Sequence, residues 1–188
     1  MGKRLRQLDK SGLDDEQTAI YDAIVTSRGN ADGPFRIWLH SPTLADRAQS
    51  LGELLRFNSS LDARLSELAI LVTARFWDCQ VEWSLHEPHA LKAGVAAAII
   101  ESIRSNQFPQ FSKDDEQTVY EFATELLCNR FVQDRTYADA VEDLGETKTV
   151  ELTALVGYYG LVAMTLNAFQ VPLPDGVAPS LVDCPIFR

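Results

Sequence analysis

The fold is decided by residues 67–94, which read ELAILVTARFWDCQVEWSLHEPHALKAG. The apolar run at 68–74 predicts a buried helix. After it, Cys79, Glu82 and His86 follow one another at spacings of three and four residues, and such spacings place side chains on one face of a helix. At about 100° per residue the three side chains fall within about 60° of arc, so we expect them to form one site.

With Glu67, these residues form the pattern E-(11)-C-x-x-E-x-x-x-H, which is followed by K-A-G. This pattern resembles the carboxymuconolactone decarboxylase and AhpD-like (alkyl hydroperoxidase D) superfamily. In the hydroperoxidase branch a second cysteine stands where this chain has Glu82, and the two cysteines cycle between dithiol and disulfide. The E-x-x-x-H pair is similar to the decarboxylase branch instead. The resemblance implies an all-α, AhpD-like helical bundle with Glu67, Cys79, Glu82 and His86 as catalytic residues.

Two sequence echoes indicate an internal duplication. The segment DDEQT occurs at 14–18 and again at 114–118, and SELAILV at 66–72 resembles VELTALV at 150–156. Because the echoes occur in the same order, we predict two related multi-helix units, of which the second lacks the chemical groups of the first.

A single domain over 1–188 is therefore expected. Unit one spans about 11–105 and holds the site, unit two spans about 112–170, and an extended proline-rich arm follows at 171–188. Apolar periodicity and capping residues predict a first helix that ends near Ser27. Further helices are predicted at 43–57, 61–77, 95–105, 114–130, 136–144 and 147–169. On the helix 43–57, the residues expected to face inward are Leu44, Ala48, Leu51 and Leu55.

The helix that carries Cys79 should begin at a cap formed by Asp78. A thiol in the first turn faces unpaired N–H groups, which lower its pKa and favour the thiolate, whereas two nearby carboxylates act in the opposite direction. Pro88 is expected to kink or divide this helix, and Gly94 to end it in the left-handed conformation.

The composition limits the partners and the compartment. A net charge of −10 argues against nucleic acid and anionic membranes as partners, because both would repel the protein. The N-terminus lacks the apolar segment of a signal peptide, and cysteines at 79, 128 and 184 match no disulfide framework or zinc spacing. We expect a cytoplasmic protein without a metal or cofactor, in which the uncharged run 152–169 is a core helix rather than a membrane span.

The first functional hypothesis is an acid–base enzyme of the decarboxylase type that acts on a small carboxylated, lactone-type molecule. His86 would carry the proton, and Glu82 or Glu67 would orient it and hold its pKa near neutrality.

An anionic substrate needs a cation in this site, because the carboxylates would repel it. Arg75 or Arg64 is the nearest candidate along the sequence. Trp77 and Trp83 are predicted to serve both as core residues and as walls of the substrate pocket.

Two other hypotheses belong to different functional classes. A thiol peroxidase would use Cys79 as its nucleophile, and Cys128, Cys184 or an external thiol would have to resolve the sulfenic acid. A non-catalytic binding or assembly protein on the same scaffold would need neither the thiol nor the proton carrier. Replacing Cys79 by serine separates the first two, because acid–base chemistry should survive the change.

Self-association is expected because the chain has more apolar helix than one domain of this size usually covers. The uncharged run 152–169, the stretch 94–100 and the arm supply this surface. The resemblance implies rings of helical units, so the predicted duplication favours a trimer, while a hexamer or a two-fold dimer stays open.

Overall fold

The computed structural model describes residues 4–6, 8 and 10–182, and within these residues the chain forms helices and no strand. A 3₁₀ turn at Lys10–Gly12 precedes the α-helices. The helices are α1 Asp15–Arg28, α2 Phe35–Trp38, α3 Pro42–Phe57, α4 Ala63–Phe76, α5 Gln80–Ala93, α6 Ala97–Arg104, α7 Asp114–Asn129, α8 Asp134–Leu144 and α9 Glu146–Ala168. The predicted all-α fold is confirmed.

Helix α4 is the centre of the fold. Asp62 caps it by accepting a hydrogen bond from the backbone N–H of Leu65, and every residue from Leu65 to Arg75 is buried. The helix packs against α5, α6, α7 and α9. A helix covered on all sides must be apolar around its whole circumference, which explains the apolar run. Glu67 enters the core with this helix.

The turn between α4 and α5 differs from the prediction. Cys79 itself is the N-cap of α5, with φ −84° and ψ 93°, and it makes no capping hydrogen bond through its side chain. Asp78 does not cap α5, because its backbone is left-handed, with φ 48°, and its carboxylate forms an ion pair with Arg75. The thiol therefore lies at the boundary of the helix rather than within its first turn.

Helix α5 runs through Pro88 without being divided, so that part of the prediction is wrong. Pro88 is exposed, and the hydrogen bond that its missing N–H forfeits therefore lies on the side of the helix that faces solvent. Gly94 ends α5 with φ 97°, in the predicted left-handed conformation. An undivided α5 keeps Glu82 and His86 one turn apart on one rigid element.

Helix α9 has the length and composition of a membrane span, but 61% of its most apolar 18-residue window is buried inside the fold. It packs as a core helix against α3, α4, α5, α7 and α8. The DDEQT echoes lie at the starts of α1 and α7, and the second pair of echoes lies near the starts of α4 and α9. The duplication and its boundaries nevertheless stay a prediction.

The arm after α9 is irregular in the part that the structure describes, 171–182. The side chain of Gln80 holds it: Nε2 donates to the carbonyl of Leu181 at 2.6 Å, and Oε1 accepts from the N–H groups of Ser180 and Leu181. Residues 183–188 of the predicted arm, including Cys184, lie outside the described residues.

Candidate active site

Glu67 and His86 meet across the interface of α4 and α5. Nδ1 of His86 lies 2.7 Å from Oε2 of Glu67, and both side chains are buried. With Nδ1–H donating to this carboxylate, the lone pair of the imidazole is on Nε2. His86 lines the cleft described below and Glu67 does not, so Nε2 is the nitrogen directed to a ligand.

Glu82 lies one turn before His86 on α5 and is 1% exposed. Neither of its carboxyl oxygens has a hydrogen-bond partner among the described residues. An unsatisfied buried polar group costs about 1–3 kcal/mol, so such a group in a native protein calls for an explanation. Glu82 lines the same cleft as His86, and a ligand there could supply the missing partner.

Burial makes these two groups a neutral acid and a neutral base. Desolvation raises the pKa of Glu82 well above its usual range. Desolvation lowers the pKa of His86, and the hydrogen bond to Glu67 raises it by a smaller amount. We infer that near pH 7 Glu82 holds a proton that it can give, while His86 has a lone pair that can accept one.

The cleft has a volume of about 1010 Å³ and is open to solvent. Its walls come from five helices, α1, α2, α3, α5 and α9, from the loop between α1 and α2, and from the segments 4–6 and 169–175. Helix α5 contributes Glu82, Leu85, His86 and His89, which share one face because they are spaced by three and four residues. Further lining residues are Arg28, Phe35, Arg56, Phe57, Tyr158, Tyr159, Val162, Leu166, Phe169, Val171 and Leu173.

Five arginines line this cleft, Arg4, Arg6, Arg28, Arg36 and Arg56, and two of them, Arg28 and Arg56, lie over aromatic rings. The guanidinium of Arg28 lies 4.9 Å from the ring centre of Phe35 and 5.4 Å from that of Phe57, and the guanidinium of Arg56 lies 5.2 Å from the Phe57 ring. Neither forms an ion pair with a residue that the structure describes. The charge of Arg56 also lowers the pKa of His86, so it acts on the catalytic end of the cleft.

Tyr158 and Tyr159 complete the polar end. The ring of Tyr159 lies edge-on to His86 at 5.0 Å, and burial raises its pKa far above the usual value. Burial also raises the pKa of Tyr158 to about 12, although the charge of Arg28 opposes this shift. Both phenols therefore remain protonated and can donate hydrogen bonds near neutral pH.

Cys79 is separated from the acid–base pair. It is 0% exposed and does not line the cleft, whereas Glu82 and His86 do. The sequence spacing placed the three side chains on one helical face, but Cys79 precedes α5 as its cap and does not follow the helical rotation. The structure therefore brings Glu82, His86 and Glu67 together and leaves the thiol of Cys79 buried outside the cleft lining.

The residues predicted to contact substrate lie elsewhere. Arg75 is buried in an ion pair with Asp78 and contacts the carbonyl of Val182, and Arg64 pairs with Asp115 and Glu116. The indole N–H of Trp83 donates to Glu87, and neither Trp83 nor Trp77 lines the cleft.

Arg28 and Arg56 supply the cation that the decarboxylase hypothesis requires. Sequence reasoning missed them because they come from α1 and α3, far from the motif along the chain. The only available signal was the need for a positive charge near the carboxylates.

Among the residues that the structure describes, no group of three or more His, Cys, Asp or Glu side chains is arranged to hold a metal ion.

Comparisons with known proteins show what part of this chain resembles a family. Residues 42–124 match the model of the carboxymuconolactone decarboxylase family, and this segment contains Glu67, Cys79, Glu82 and His86. A comparison with curated proteins gave no significant match.

Solved structures share the fold at low sequence identity. The debrominase Bmp8 in its apo form aligns with a TM-score of 0.72 at 13% identity, over 90% of this chain and 91% of that protein. An uncharacterized peroxidase-related protein with an AhpD core, from Ralstonia eutropha JMP134, has a TM-score of 0.75 at 13% identity, over 92% and 93%. A protein of unknown function from Agrobacterium tumefaciens, a putative antioxidant defence protein AhpD, has 0.66 at 13%, over 76% and 99%.

The helical architecture thus defines an all-α protein of the AhpD-like fold, with a buried carboxyl–imidazole pair facing a cleft. The match over residues 42–124 and the shared fold support the resemblance to the carboxymuconolactone decarboxylase and AhpD-like superfamily that the sequence pattern predicted.

Proposed function

We propose that this protein is an acid–base enzyme of the decarboxylase type, which delivers a proton to carbon in a small carboxylated, lactone-type molecule. The observation that carries the proposal is Glu82, a buried carboxyl group without a hydrogen-bond partner among the described residues, which faces a cleft beside His86. The family includes enzymes, so a catalytic role agrees with the comparisons.

Decarboxylation requires one proton for each carbon dioxide released. The bond between the reacting carbon and its carboxylate breaks, the electron pair stays on the substrate, and a proton then forms the new C–H bond. Glu82 holds such a proton because burial raises its pKa well above its usual range. We assign Glu82 as the acid that protonates the substrate.

After that step Glu82 is an anion and must be re-protonated from solvent. His86 offers a path, because Nε2 can accept a proton in the cleft and lies on the same helix one turn away. The carboxylate of Glu67 would stabilise the imidazolium that forms, through the hydrogen bond to Nδ1. His86 is therefore a proton relay in this proposal, and Glu67 is its positioning residue.

Arg28 and Arg56 give the cleft its affinity for an anion. Neither guanidinium forms an ion pair with a described carboxylate, and both line the cleft, although Nη2 of Arg28 also donates to the carbonyl of Gln49 at 3.1 Å. Negative charge moves from the leaving carboxylate onto the lactone carbonyl during the reaction, and an arginine beside that oxygen stabilises it.

The thiol peroxidase hypothesis has less support. Peroxide would reach Cys79 only if the start of α5 opened, because Cys79 is fully buried and does not line the cleft. Of the proposed resolving thiols, Cys128 is exposed on α7, and Cys184 lies outside the described residues. A non-catalytic binding role would use the cleft without the proton of Glu82.

One experiment separates these three functions. Release of carbon dioxide from carboxymuconolactone and related carboxylated lactones is measured with the wild type and with Glu82→Gln, Cys79→Ser and the matched control Glu101→Gln, which changes an exposed glutamate on α6. We expect Glu82→Gln to abolish turnover and the other two variants to keep it. In heavy water, deuterium should appear in the product.

Full activity of Glu82→Gln would contradict the proposal. Loss of a peroxide-consuming activity in Cys79→Ser, with no decarboxylation by the wild type, would favour the peroxidase. Binding without any turnover would favour the non-catalytic role. The cytoplasmic location and the restriction to small-molecule partners remain part of the proposal.

A further inference from the structure

The cleft is much larger than a small lactone needs. Its volume of about 1010 Å³ lies at the upper end of the range of about 300–1,000 Å³ in which pockets bury drug-sized ligands. A lactone held by Glu82 and His86 would occupy one end and leave the rest to water. The remaining walls of the cleft therefore contribute to ligand specificity.

Those walls are apolar and uncovered. Phe57 is 51% exposed, Leu85 is 43% exposed and Phe169 is 37% exposed, and all three line the cleft. The buried side chains of Val162 and Leu166 continue this surface along α9. A ligand that covered these apolar side chains would contribute about 25 cal/mol for each Å² of apolar surface that it removes from water.

The cleft has a polar and an apolar end. Tyr158, Val162, Leu166 and Phe169 follow one another at spacings of three and four residues, so they form one stripe on the α9 side. From Tyr158 to Phe169 this stripe is about 16 Å long at 1.5 Å per residue.

Arginine charge marks the polar end of the stripe. Arg28 shifts the pKa of Tyr158, and Arg56 shifts the pKa values of Tyr158, Tyr159 and His86. Arg4 also lines the cleft, and its Nη1 donates to the carbonyl of Ala168 at 2.8 Å, so one further positive charge lies near the Phe169 end.

Both arginines face the ring of Phe57, so two like charges are held against one apolar side chain. The N–H donors of a guanidinium group lie in its own plane, so a group held over an aromatic ring can still donate them to a carboxylate. Among the lining carboxylates, Asp32 is paired with Arg36 at 3.0 Å, burial favours the neutral form of Glu82, and Asp175 lies on the segment that follows α9, beyond Phe169 in the sequence. A ligand with an anionic group and an apolar part could therefore contact both the arginines and the apolar walls of the cleft.

We infer that the ligand of this site is an amphipathic carboxylate, with its anionic head at Arg28 and Arg56 and an apolar chain or ring system that runs along α9 towards Phe169. This inference deepens the proposed function and rests on it for the reacting carbon between Glu82 and His86. It departs from the expected small lactone in size and in apolar area. The length of the ligand's apolar part, as well as its charge, would then determine specificity.

Titration calorimetry with octanoate, butyrate and octanamide tests the inference without requiring turnover. Each additional buried methylene contributes about 0.8 kcal/mol, about fourfold in affinity, so octanoate, with four more methylenes, should bind about 200-fold more tightly than butyrate. Octanamide has the same chain without the charge and should bind at least tenfold more weakly than octanoate. Equal affinity of octanoate and butyrate, or of octanoate and octanamide, would overturn the inference.

Variants assign the two ends. Arg56→Gln should weaken octanoate about tenfold and leave octanamide unchanged, whereas the control Arg135→Gln, on an exposed side chain of α8, should change neither. Phe169→Ser should weaken octanoate and leave butyrate unchanged, and Phe108→Ser is its exposed control outside the cleft. If Phe169→Ser fails to fold, Leu173→Ser replaces it. Octanoate affinity that is unchanged by Arg56→Gln and by the apolar variant would contradict the assignment.

Glu82→Gln separates this inference from the proposed function. It should bind octanoate like the wild type and catalyse no decarboxylation. Chain-length-dependent binding by a protein that proves inactive in every acid–base assay would leave the ligand class standing and remove the proposed function. Turnover of a small lactone by a protein whose carboxylate binding does not depend on chain length would support the proposed function and overturn the inferred ligand class.

Discussion

Nδ1 of His86 lies 2.7 Å from Oε2 of Glu67, so a hydrogen bond joins α5 to the buried centre of α4. The sequence places these residues 19 positions apart, and the packing of α5 against α4 brings them together. This contact fixes the tautomer of the imidazole and leaves Nε2 for the cleft. The proposed relay depends on that orientation.

Replacing Glu67 by glutamine tests the relay. The amide can still accept a hydrogen bond from Nδ1, but it cannot stabilise the imidazolium by charge. A hydrogen bond to a charged group contributes about 1.5–3 kcal/mol, so we expect kcat to fall about tenfold to hundredfold while KM changes little. Steady-state kinetics measure this, and an unchanged kcat in a folded variant would exclude a charge role for Glu67.

Glu82 should make stability depend on pH. Its folded pKa is raised above the ordinary value of 4.5, so its contribution is fully present below about pH 4.5 and is lost as the pH rises through the folded pKa. His86 acts in the opposite direction: its pKa is lowered from 6.5, so its contribution is present above about pH 6.5 and is lost as the pH falls through the folded pKa.

Glu82→Gln isolates the first effect because it leaves His86 in place. The free energy of unfolding of the variant, relative to wild type, should rise as the pH increases above about 4.5, up to the folded pKa of Glu82. Urea unfolding at several pH values measures this difference. A constant difference would mean that Glu82 is not held protonated by burial.

Gly52 is required by the polar end of the cleft. A Cβ at this position would overlap the hydroxyl of Tyr158 and lie 2.9 Å from Nη2 of Arg28. Gly52→Ala should therefore displace both groups, cost about 1–3 kcal/mol of stability and weaken anion binding. Thermal unfolding and calorimetry measure the two effects.

Gly157→Ala is the matched control within a helix, because nothing lies within 4 Å of its added Cβ. Alanine has a higher helix propensity than glycine by up to about 1 kcal/mol, so this variant should be as stable as wild type or more stable. Equal behaviour of the two variants would show that the contact with Tyr158 is unimportant.

The sequence predicted the all-α fold and most helix positions because the apolar periodicity is strong and several ends carry clear caps, such as Gly94. On α3 the periodicity misled: Ala48 and Leu55 are buried, but Leu44 and Leu51 are each 44% exposed. Apart from Leu55, the inward face of α3 consists of small and polar side chains, among them Gln49 and Gly52, because Tyr158 and Arg28 approach it closely. An apolar stripe alone cannot reveal such a contact.

The candidate site was only partly predictable for a similar reason. Local spacing identified Glu82 and His86, because both belong to one undivided helix. The same spacing misplaced Cys79, since one left-handed residue, Asp78, interrupts the helical rotation before α5 begins. Arg28 and Arg56 depend on how α1 and α3 pack, which no local pattern encodes.

Self-association remains a prediction, but the structure changes which apolar surfaces are free to form the interface. Much of α9 is buried within the chain, and Val95, Ile99 and Ile100 face the core, so these stretches offer less free apolar surface than the sequence suggested. The exposed residues Leu51 and Leu54 on α3 are alternative contacts. We still expect a trimer, and multi-angle light scattering at micromolar concentration measures the mass. A monomer that retains activity would contradict it.

The most direct test of the account is a rapid-quench measurement of product formed per active site, with a carboxylated lactone that the wild type turns over. If Glu82 supplies the proton and His86 only restores it, His86→Ala should form about one equivalent of product at nearly the wild-type rate and then slow sharply. Glu82→Gln should form none. A normal first turnover in Glu82→Gln, or the absence of any burst in a folded His86→Ala, would contradict the assignment of Glu82 as the acid and His86 as the relay.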